Sequence, residues 1–272
     1  VKVLERNKRF FSMCGIFAAY NNERLNSSET YYNEFRDCLA HRGPDSKEIF
    51  VSAHHLGALH SLVEGVWNHI SYDDPLSPNT VFITPGHVHW DLVKIDNVVV
   101  FDKKTESYIG DARPLEAASY FHTPVHKHLD THKCVFHIHT PSITAVATRT
   151  DFEFEPRLTQ HSCCFIDSFG YFNEYDSLQD ELKTQRLVEA FEKRNLLFLK
   201  NHGALVAGHC IEEAFMSTYM LNLACSFHLS VLSGNAQFDL IPTEKARSMK
   251  AFFYDGLYKK HFDGFLNHLN SL

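Results

Sequence analysis

Two histidines one residue apart, His137 and His139, lie in the apolar run Cys134-Val135-Phe136-His137-Ile138-His139-Thr140. A β-strand sends residues i and i+2 to the same face, about 6.6 Å apart along the backbone. Two imidazoles on one strand can therefore converge on one divalent ion. His202 closes a second apolar run, Leu196-Leu197-Phe198-Leu199-Lys200-Asn201-His202-Gly203. A third imidazole from another strand end would complete a three-histidine site with an open position, the arrangement that catalytic zinc requires. Against this stands chance, because a chain with 19 histidines produces His-x-His pairs easily. Placement on an apolar strand favours the ligand reading, since a buried imidazole needs a partner. The other histidine groups read differently. His87 and His89 are loop residues, and His126, His128 and His132 read as exposed and at most weakly metal-binding. No Ser-His-Asp order, phosphate loop or dinucleotide fingerprint stands above chance.

The elements that must hold the trio follow from pattern. Lys133–His139, Leu196–Leu199 and Ala204–Ala207 read as strands, as does Val81–Thr84 before the turn dipeptide Pro85-Gly86. Leu92–Asp102 is rich in β-branched residues and reads as two strands around Asp96-Asn97. Helices are expected at His54–Glu64, Asp180–Arg194, Ile211–Leu232 (closed by Ser233-Gly234-Asn235) and Thr243–Leu272. The stretch 115–129 is ambiguous, and Thr123-Pro124 within it suits a helix start. Strands mixed with such helices imply an α/β fold in layers around a central sheet. Residues 1–52 are polar and read as an irregular N-terminal extension, and 53–272 as the domain.

Composition narrows the function. The 272 residues are 44% hydrophobic and 22% charged, ample for a full core. A net charge of -7 gives no reason to expect a nucleic-acid partner. No segment reads as roughly 18 unbroken apolar residues, so no membrane span is expected. The seven cysteines are scattered without a C-x-x-C pair, which favours reduced thiols and a cytoplasmic setting.

Several motifs together carry a resemblance. Glu64-Gly65-Val66-Trp67-Asn68-His69-Ile70-Ser71 resembles the Asn-containing loop of the class II aldolase/adducin family. Phe82-Ile83-Thr84-Pro85-Gly86 resembles its next strand and loop. Lys133 to Pro141 looks like its metal strand, closest to adducin-type members. Leu199-Lys200-Asn201-His202-Gly203 resembles the motif of the third histidine, and Glu212-Glu213-Ala214-Phe215 the start of the following helix. The match covers roughly residues 53–268. It implies a three-layer α/β/α fold around a mainly antiparallel sheet, with zinc or another divalent ion on His137, His139 and His202. It further implies a homo-oligomer, often a tetramer with the site at a subunit boundary. Asn68, Thr84 and His122 would line the substrate pocket.

The sequence also departs from the family pattern. Catalytic members carry an acid four residues before the histidine matched by His122, and that position is Ala118. Glu116 lies two residues off, on a different helix face. It is the candidate for the proton-transfer group only if the register shifts through Thr123-Pro124, and otherwise a solvated carboxylate. Sugar-phosphate aldolases place two serines where Glu116 and Ala117 stand, and a carboxylate there would repel phosphate. The first helix reads as short, with several residues of the usual helix and turn missing. A second, local resemblance links Met13-Cys14-Gly15-Ile16-Phe17 and His41-Arg42-Gly43-Pro44-Asp45 to the opening of the asparagine synthetase glutaminase domain. The stretch is too short for that domain and reads as a relic, a fusion or coincidence.

Two functions are therefore expected. One is lyase-type chemistry, aldol cleavage or decarboxylation, on a small unphosphorylated hydroxy-carbonyl or carboxylate. The other is a non-catalytic adducin-head-like assembly module of cytoskeletal type with a structural or vestigial metal. Ala118 favours the second. The intact trio without a basic adducin tail favours the first.

Overall fold

The computed structural model describes residues 9–13, 16–20, 46–174, 181–233 and 237–272. The chain divides into two units, residues 1–49 and 50–272. In the first, strands Arg9–Met13 (β1) and Ile16–Tyr20 (β2) pair antiparallel. Cys14 and the His41–Asp45 motif lie outside the described residues.

The second unit is built on eight strands. These are His69–Asp73 (β3), Thr80–Ile83 (β4), Val99–Asp102 (β5), Ser107–Ile109 (β6), Cys134–Ile138 (β7), Phe169–Phe172 (β8), Leu196–Leu199 (β9) and Gly203–Gly208 (β10). Their order is β6-β5-β4-β3-β7-β10-β9-β8, antiparallel throughout except for the parallel pair β8–β9. Every residue of β3, β7, β9 and β10 is buried, so both faces of the sheet are covered.

The coverings follow from alternation along β7. Val135 faces helix α2 (Glu116–His128) and helix α4 (Glu181–Phe191), in a cluster with Phe121, Val125, Leu187 and Phe191. Phe136, one residue on, faces the other way and meets Trp90 and Phe215. Phe215 belongs to helix α5 (Ile211–Leu232), which also packs against Phe262 of helix α7 (Tyr258–Leu269). The short helix α3 (Pro141–Thr148) leaves β7 directly, with Thr140 at its N-cap and Pro141 at its first position. The result is the layered α/β arrangement around a mainly antiparallel sheet.

Several local expectations are corrected. The first helix, α1, runs Ser46–Leu59 rather than His54–Glu64, so it is not short. Its buried stripe Phe50, Ala53, His54, Gly57 has helical spacing and reaches back into the polar segment. In Leu92–Asp102 only Val99–Asp102 is a strand. The first half forms 3₁₀ turns at Trp90–Leu92 and Ile95–Asn97, where Asn97 accepts from Lys94 N (2.8 Å) and donates to Leu92 O (3.1 Å). Helix α2 starts at Glu116 and continues through Thr123-Pro124, which is therefore no start signal. The last helical stretch is α6 (Thr243–Phe252) and α7, broken where Asp255 and Gly256 leave helical geometry. His126 and His132 are buried, and only His128 of that group is exposed. Helix α5, with 22 residues, is long and apolar enough by length and composition to cross a membrane, although Glu212, Glu213, Asn222 and His228 keep it from being an unbroken apolar run. Here it is a core helix, with Phe215, Met216, Leu221 and Cys225 fully buried.

Candidate functional site

The end of β7 and the turn into β10 bring the trio together. His137, His139 and His202 offer ligand nitrogens that all lie within 4.8 Å of one another. Ring centroids are 4.5 Å apart for His137–His139, 4.8 Å for His137–His202 and 4.6 Å for His139–His202. The Asn201-His202-Gly203 turn has a steric reason. Asn201 sits at φ 57°, a left-handed conformation that Asn tolerates. A Cβ on Gly203 would lie 2.2 Å from the Ile138 carbonyl oxygen, so only glycine lets β10 close against β7 there.

Hydrogen bonds define which nitrogen each ring presents. His137 Nδ1 donates to the Ala204 carbonyl (3.2 Å), leaving Nε2 as a lone pair. His139 Nδ1 faces the Glu64 carboxylate (3.2 Å), which likewise leaves Nε2 bare. The two Nε2 atoms are 2.7 Å apart. Two lone pairs at that separation repel unless a cation or a proton lies between them. With both Nδ1 protons already committed, the donor set fits a divalent cation, and Glu64 is the outer partner that orients the ligand. Burial holds the trio neutral, the form that metal binding needs. His137 lies well below the ordinary histidine value through burial and its histidine neighbours, and His202 is pushed down to about 4 by burial. For His139 burial outweighs the upward pull of Glu64.

A second group of polar side chains stands beside the trio. Residues alternate along β3, so His69, Ser71 and Asp73 share a face, opposite His122 and His126, one turn apart on α2. His69 pairs with His137 across β3–β7, and their rings are 4.7 Å apart. His69 Nδ1 is 2.6 Å from His122 Nε2. His122 Nδ1 is 2.5 Å from Ser71 Oγ, which is 2.6 Å from His126 Nε2. His126 Nδ1 is 3.0 Å from Asp73 Oδ1, an ion-pair contact without good hydrogen-bond alignment. Asp73 also receives Lys103 (3.0 Å) and Lys133 (3.2 Å). Burial pushes its carboxyl up, the contacts with His126 and Lys103 pull it down, and the net direction is below the usual carboxylate range. Sequence reasoning gave no role to His69, Ser71 and Asp73, and read His126 as exposed, whereas it is buried. The available signal was polar residues at every second position of an apolar strand, matched by an i, i+4 histidine pair.

The remaining candidates are distributed as follows. Asn68 is buried, its Oδ1 takes the Glu64 amide, and its carbonyl takes the Trp90 indole N–H (3.0 Å). Its buried Nδ2 has no hydrogen-bond partner among the described residues. Thr84 is buried in a junction: its hydroxyl oxygen accepts from Ile70 N (2.7 Å) and lies 2.7 Å from His54 Nε2, so its bonding capacity is used within the fold. His122 is fully buried with both ring nitrogens engaged by His69 and Ser71, and it presents none to a substrate. Glu116 is exposed on the first turn of α2 and accepts from Tyr120 (3.0 Å). Ala118 is buried against Val81, Ile83, Val99 and Phe101, so an acid there would enter apolar packing in this chain.

Comparison with known proteins places this geometry. The family described as Class II Aldolase and Adducin N-terminal domain matches residues 48–229. Adducin-related protein 1 of Caenorhabditis elegans is 26% identical over 188 residues, covering 67% of this chain but only 25% of that protein. Decarboxylase NovR of Streptomyces niveus is 25% identical over 205 residues, 72% of this chain and 73% of that one. Among solved structures, an aldolase II superfamily protein from Pseudomonas syringae shares the fold. It has a TM-score of 0.73 and 23% identity, covering 84% of this chain and 94% of that one.

Proposed function

The chain belongs to the class II aldolase and adducin family, and from that premise we propose that it binds a divalent metal, zinc or similar, on His137, His139 and His202 and acts as a lyase. The substrate class is a small unphosphorylated hydroxy-carbonyl or carboxylate, cleaved by aldol chemistry or decarboxylation. The observation that carries this reading is the pair of bare Nε2 atoms facing each other at 2.7 Å, with both Nδ1 protons used elsewhere. A divalent ion held by His137, His139 and His202 would supply Lewis acidity toward a substrate oxygen. The protein's own groups do the rest. Glu64 and the Ala204 carbonyl hold two ligand rings in one orientation, and Phe121 stacks on His137 at 4.6 Å and shields it from water. Asn68 Nδ2 donates to a substrate oxygen. A decarboxylase among the relatives supports the reaction class.

A non-catalytic assembly module is the second reading, favoured by Ala118 at the acid position and by the adducin-related relative. A reducing compartment suits either, since Cys134, Cys163, Cys164 and Cys225 are buried free thiols. The test has two stages. Elemental analysis of the purified chain should find a stoichiometric divalent metal that is lost in His137→Ala; equal metal content in both would overturn the site. The loaded chain should then cleave or decarboxylate members of a hydroxy-carbonyl and hydroxy-acid panel. No turnover with full metal occupancy would support the assembly reading.

A further inference from the structure

A cavity lies at the far end of β10 from the trio. Gly203 opens the strand beside His139, and Ala207 and Gly208 border the cavity, five residues on and about 17 Å along the strand. The cavity measures about 470 Å³, within the roughly 300–1,000 Å³ of small-ligand sites. Its other walls come from α5, from α6 and the turn after it, and from the segment joining α4 to β9. It shares no residue with the trio.

Three side chains on these walls have bonding capacity left over. Glu213 is buried, 7% exposed, in the first turn of α5. A carboxylate there can cap the helix, but its one hydrogen bond among the described residues is long, from His209 N to Oε1 at 3.4 Å. Burial pushes its carboxyl up, His209 pulls it down, Glu212 adds to the rise, and the net direction is upward. Asn195 reaches the same space. Its Nδ2 donates to Tyr254 Oη (2.6 Å), and that hydroxyl lies 3.2 Å from Ser217 Oγ, one turn on from Glu213 along α5. The Asn195 Oδ1 atom is buried without a hydrogen-bond partner among the described residues. Lys250, four residues before Tyr254, spends two of its three N–H groups on Ile166 O (2.6 Å) and Ser168 Oγ (2.7 Å) and keeps one.

We propose that this cavity is a second small-molecule site, built for a small zwitterion that carries an ammonium group and a carboxylate. The ammonium donates to Glu213 and to Asn195 Oδ1, and the carboxylate accepts from the remaining Lys250 N–H. The chemistry selects this class. A buried carboxylate and a buried amide oxygen, both short of donors, call for several N–H groups on one positive centre. A neutral alcohol has one O–H and cannot serve both. A simple amine serves both, but it enters a cavity that Lys250 and Arg194 also line, with no charge to offset theirs. An anion alone meets Glu213. One group of each sign answers all three side chains. The site stands independently of the lyase reading.

Isothermal titration of the full chain tests this, with three zwitterions of increasing reach as probes: glycine, 4-aminobutanoate and 6-aminohexanoate. At least one should bind about tenfold or more tightly than both butylamine and butanoate, because each of those satisfies only one side of the cavity. Glu213→Gln keeps the shape of the side chain and removes its charge. It should weaken the best zwitterion about tenfold or more, weaken butylamine too, and leave butanoate no weaker. Lys250→Met should weaken the zwitterion and spare butylamine. His137→Ala, which disrupts the metal centre, should bind the zwitterion as the native chain does. No binding of any of the three at about 10 mM would overturn the proposal, as would butylamine binding as tightly as the best of them. Unchanged affinity in Glu213→Gln would be equally adverse, and binding lost in His137→Ala would put the probe on the trio. Should Lys250→Met fail to fold, Glu213→Gln and the comparison of probes on the native chain still decide.

Discussion

Glu64 contributes the one carboxylate that the described contacts place on a ligand ring, 3.2 Å from His139 Nδ1. Removing such an outer partner frees the ring to rotate and to protonate the wrong nitrogen, which typically weakens metal binding about 10–100-fold. Glu64→Ala should therefore bind zinc about 10–100-fold more weakly than the native chain in competition with a chromophoric chelator. Glu64→Gln should fall between the two, because its amide oxygen can still accept from Nδ1. Equal affinity for all three would mean that His139 is oriented by something else. The three histidines were legible in the sequence because each stands out against an apolar run. Glu64 was quoted as part of a motif, but its role was not legible. It sits 75 positions from His139 in a chain with 33 acidic residues, and only folding singles it out.

At the scale of elements, two positions carry the geometry. Gly203 lets β10 approach β7 beside His139, and an added Cβ would meet the Ile138 carbonyl oxygen at 2.2 Å. Because that neighbour is backbone, relief requires the strands to part. Gly203→Ala should cost about 1–3 kcal/mol, the range for overpacking a tight core, and should lower zinc occupancy together with the thermal midpoint. Loss of stability with intact metal binding would mean that the strain is absorbed away from the trio. Helix α2 carries the opposite kind of flaw. Pro124 lies inside it, where it cannot donate to the Tyr120 carbonyl, and the neighbouring Thr123 Oγ1 donates to Ser119 O (2.6 Å). Pro124→Ala should raise the urea midpoint by an amount worth up to about 3 kcal/mol, provided His122 and His126 stay on β3. A fall would show that Pro124 is needed to align those rings. Proline chemistry also explains why this helix was misread: Thr-Pro is a strong start signal locally, and tertiary packing of Phe121, Val125 and Leu129 overrode it. The strands were read well where apolar runs were continuous, as in β7 and β9. The region before Val99 was not, because Asn97 diverts its backbone into a turn.

Across the whole molecule, the unusual quantity is buried neutral histidine. His54 is fully buried between Phe50 O (2.8 Å) and Thr84 Oγ1 (2.7 Å), and burial pushes it down to about 3. His69 is likewise pushed down to about 3 by burial, His202 to about 4, and His122, His132 and His137 are lowered as well. Each of these rings binds a proton in the unfolded chain below its ordinary value of about 6.5 while the folded chain refuses it. The unfolded state therefore holds more protons, and stability falls as pH falls. Their contribution is fully present above about pH 6.5 and is lost on acidification from there down to the folded-state values, at up to about 1.4 kcal/mol per pH unit for each ring. Asp73, whose carboxyl is lowered, adds a further loss only at lower pH, on approach to the carboxylate range. Urea midpoints measured from pH 7.5 to 5 should drop steeply, and a flat profile would mean that these rings are already charged or open to water in the folded chain. Zinc separates the two populations of histidine. It competes with protons at His137 and His202, so saturating metal should raise the midpoint at pH 7.5 and move the start of the acid limb downward. The share due to His54, which lies in the α1–β4 junction and outside the trio, should remain in the presence of metal. In His137→Ala the acid limb should persist while the zinc-dependent shift disappears, which ties the first to burial and the second to the metal site.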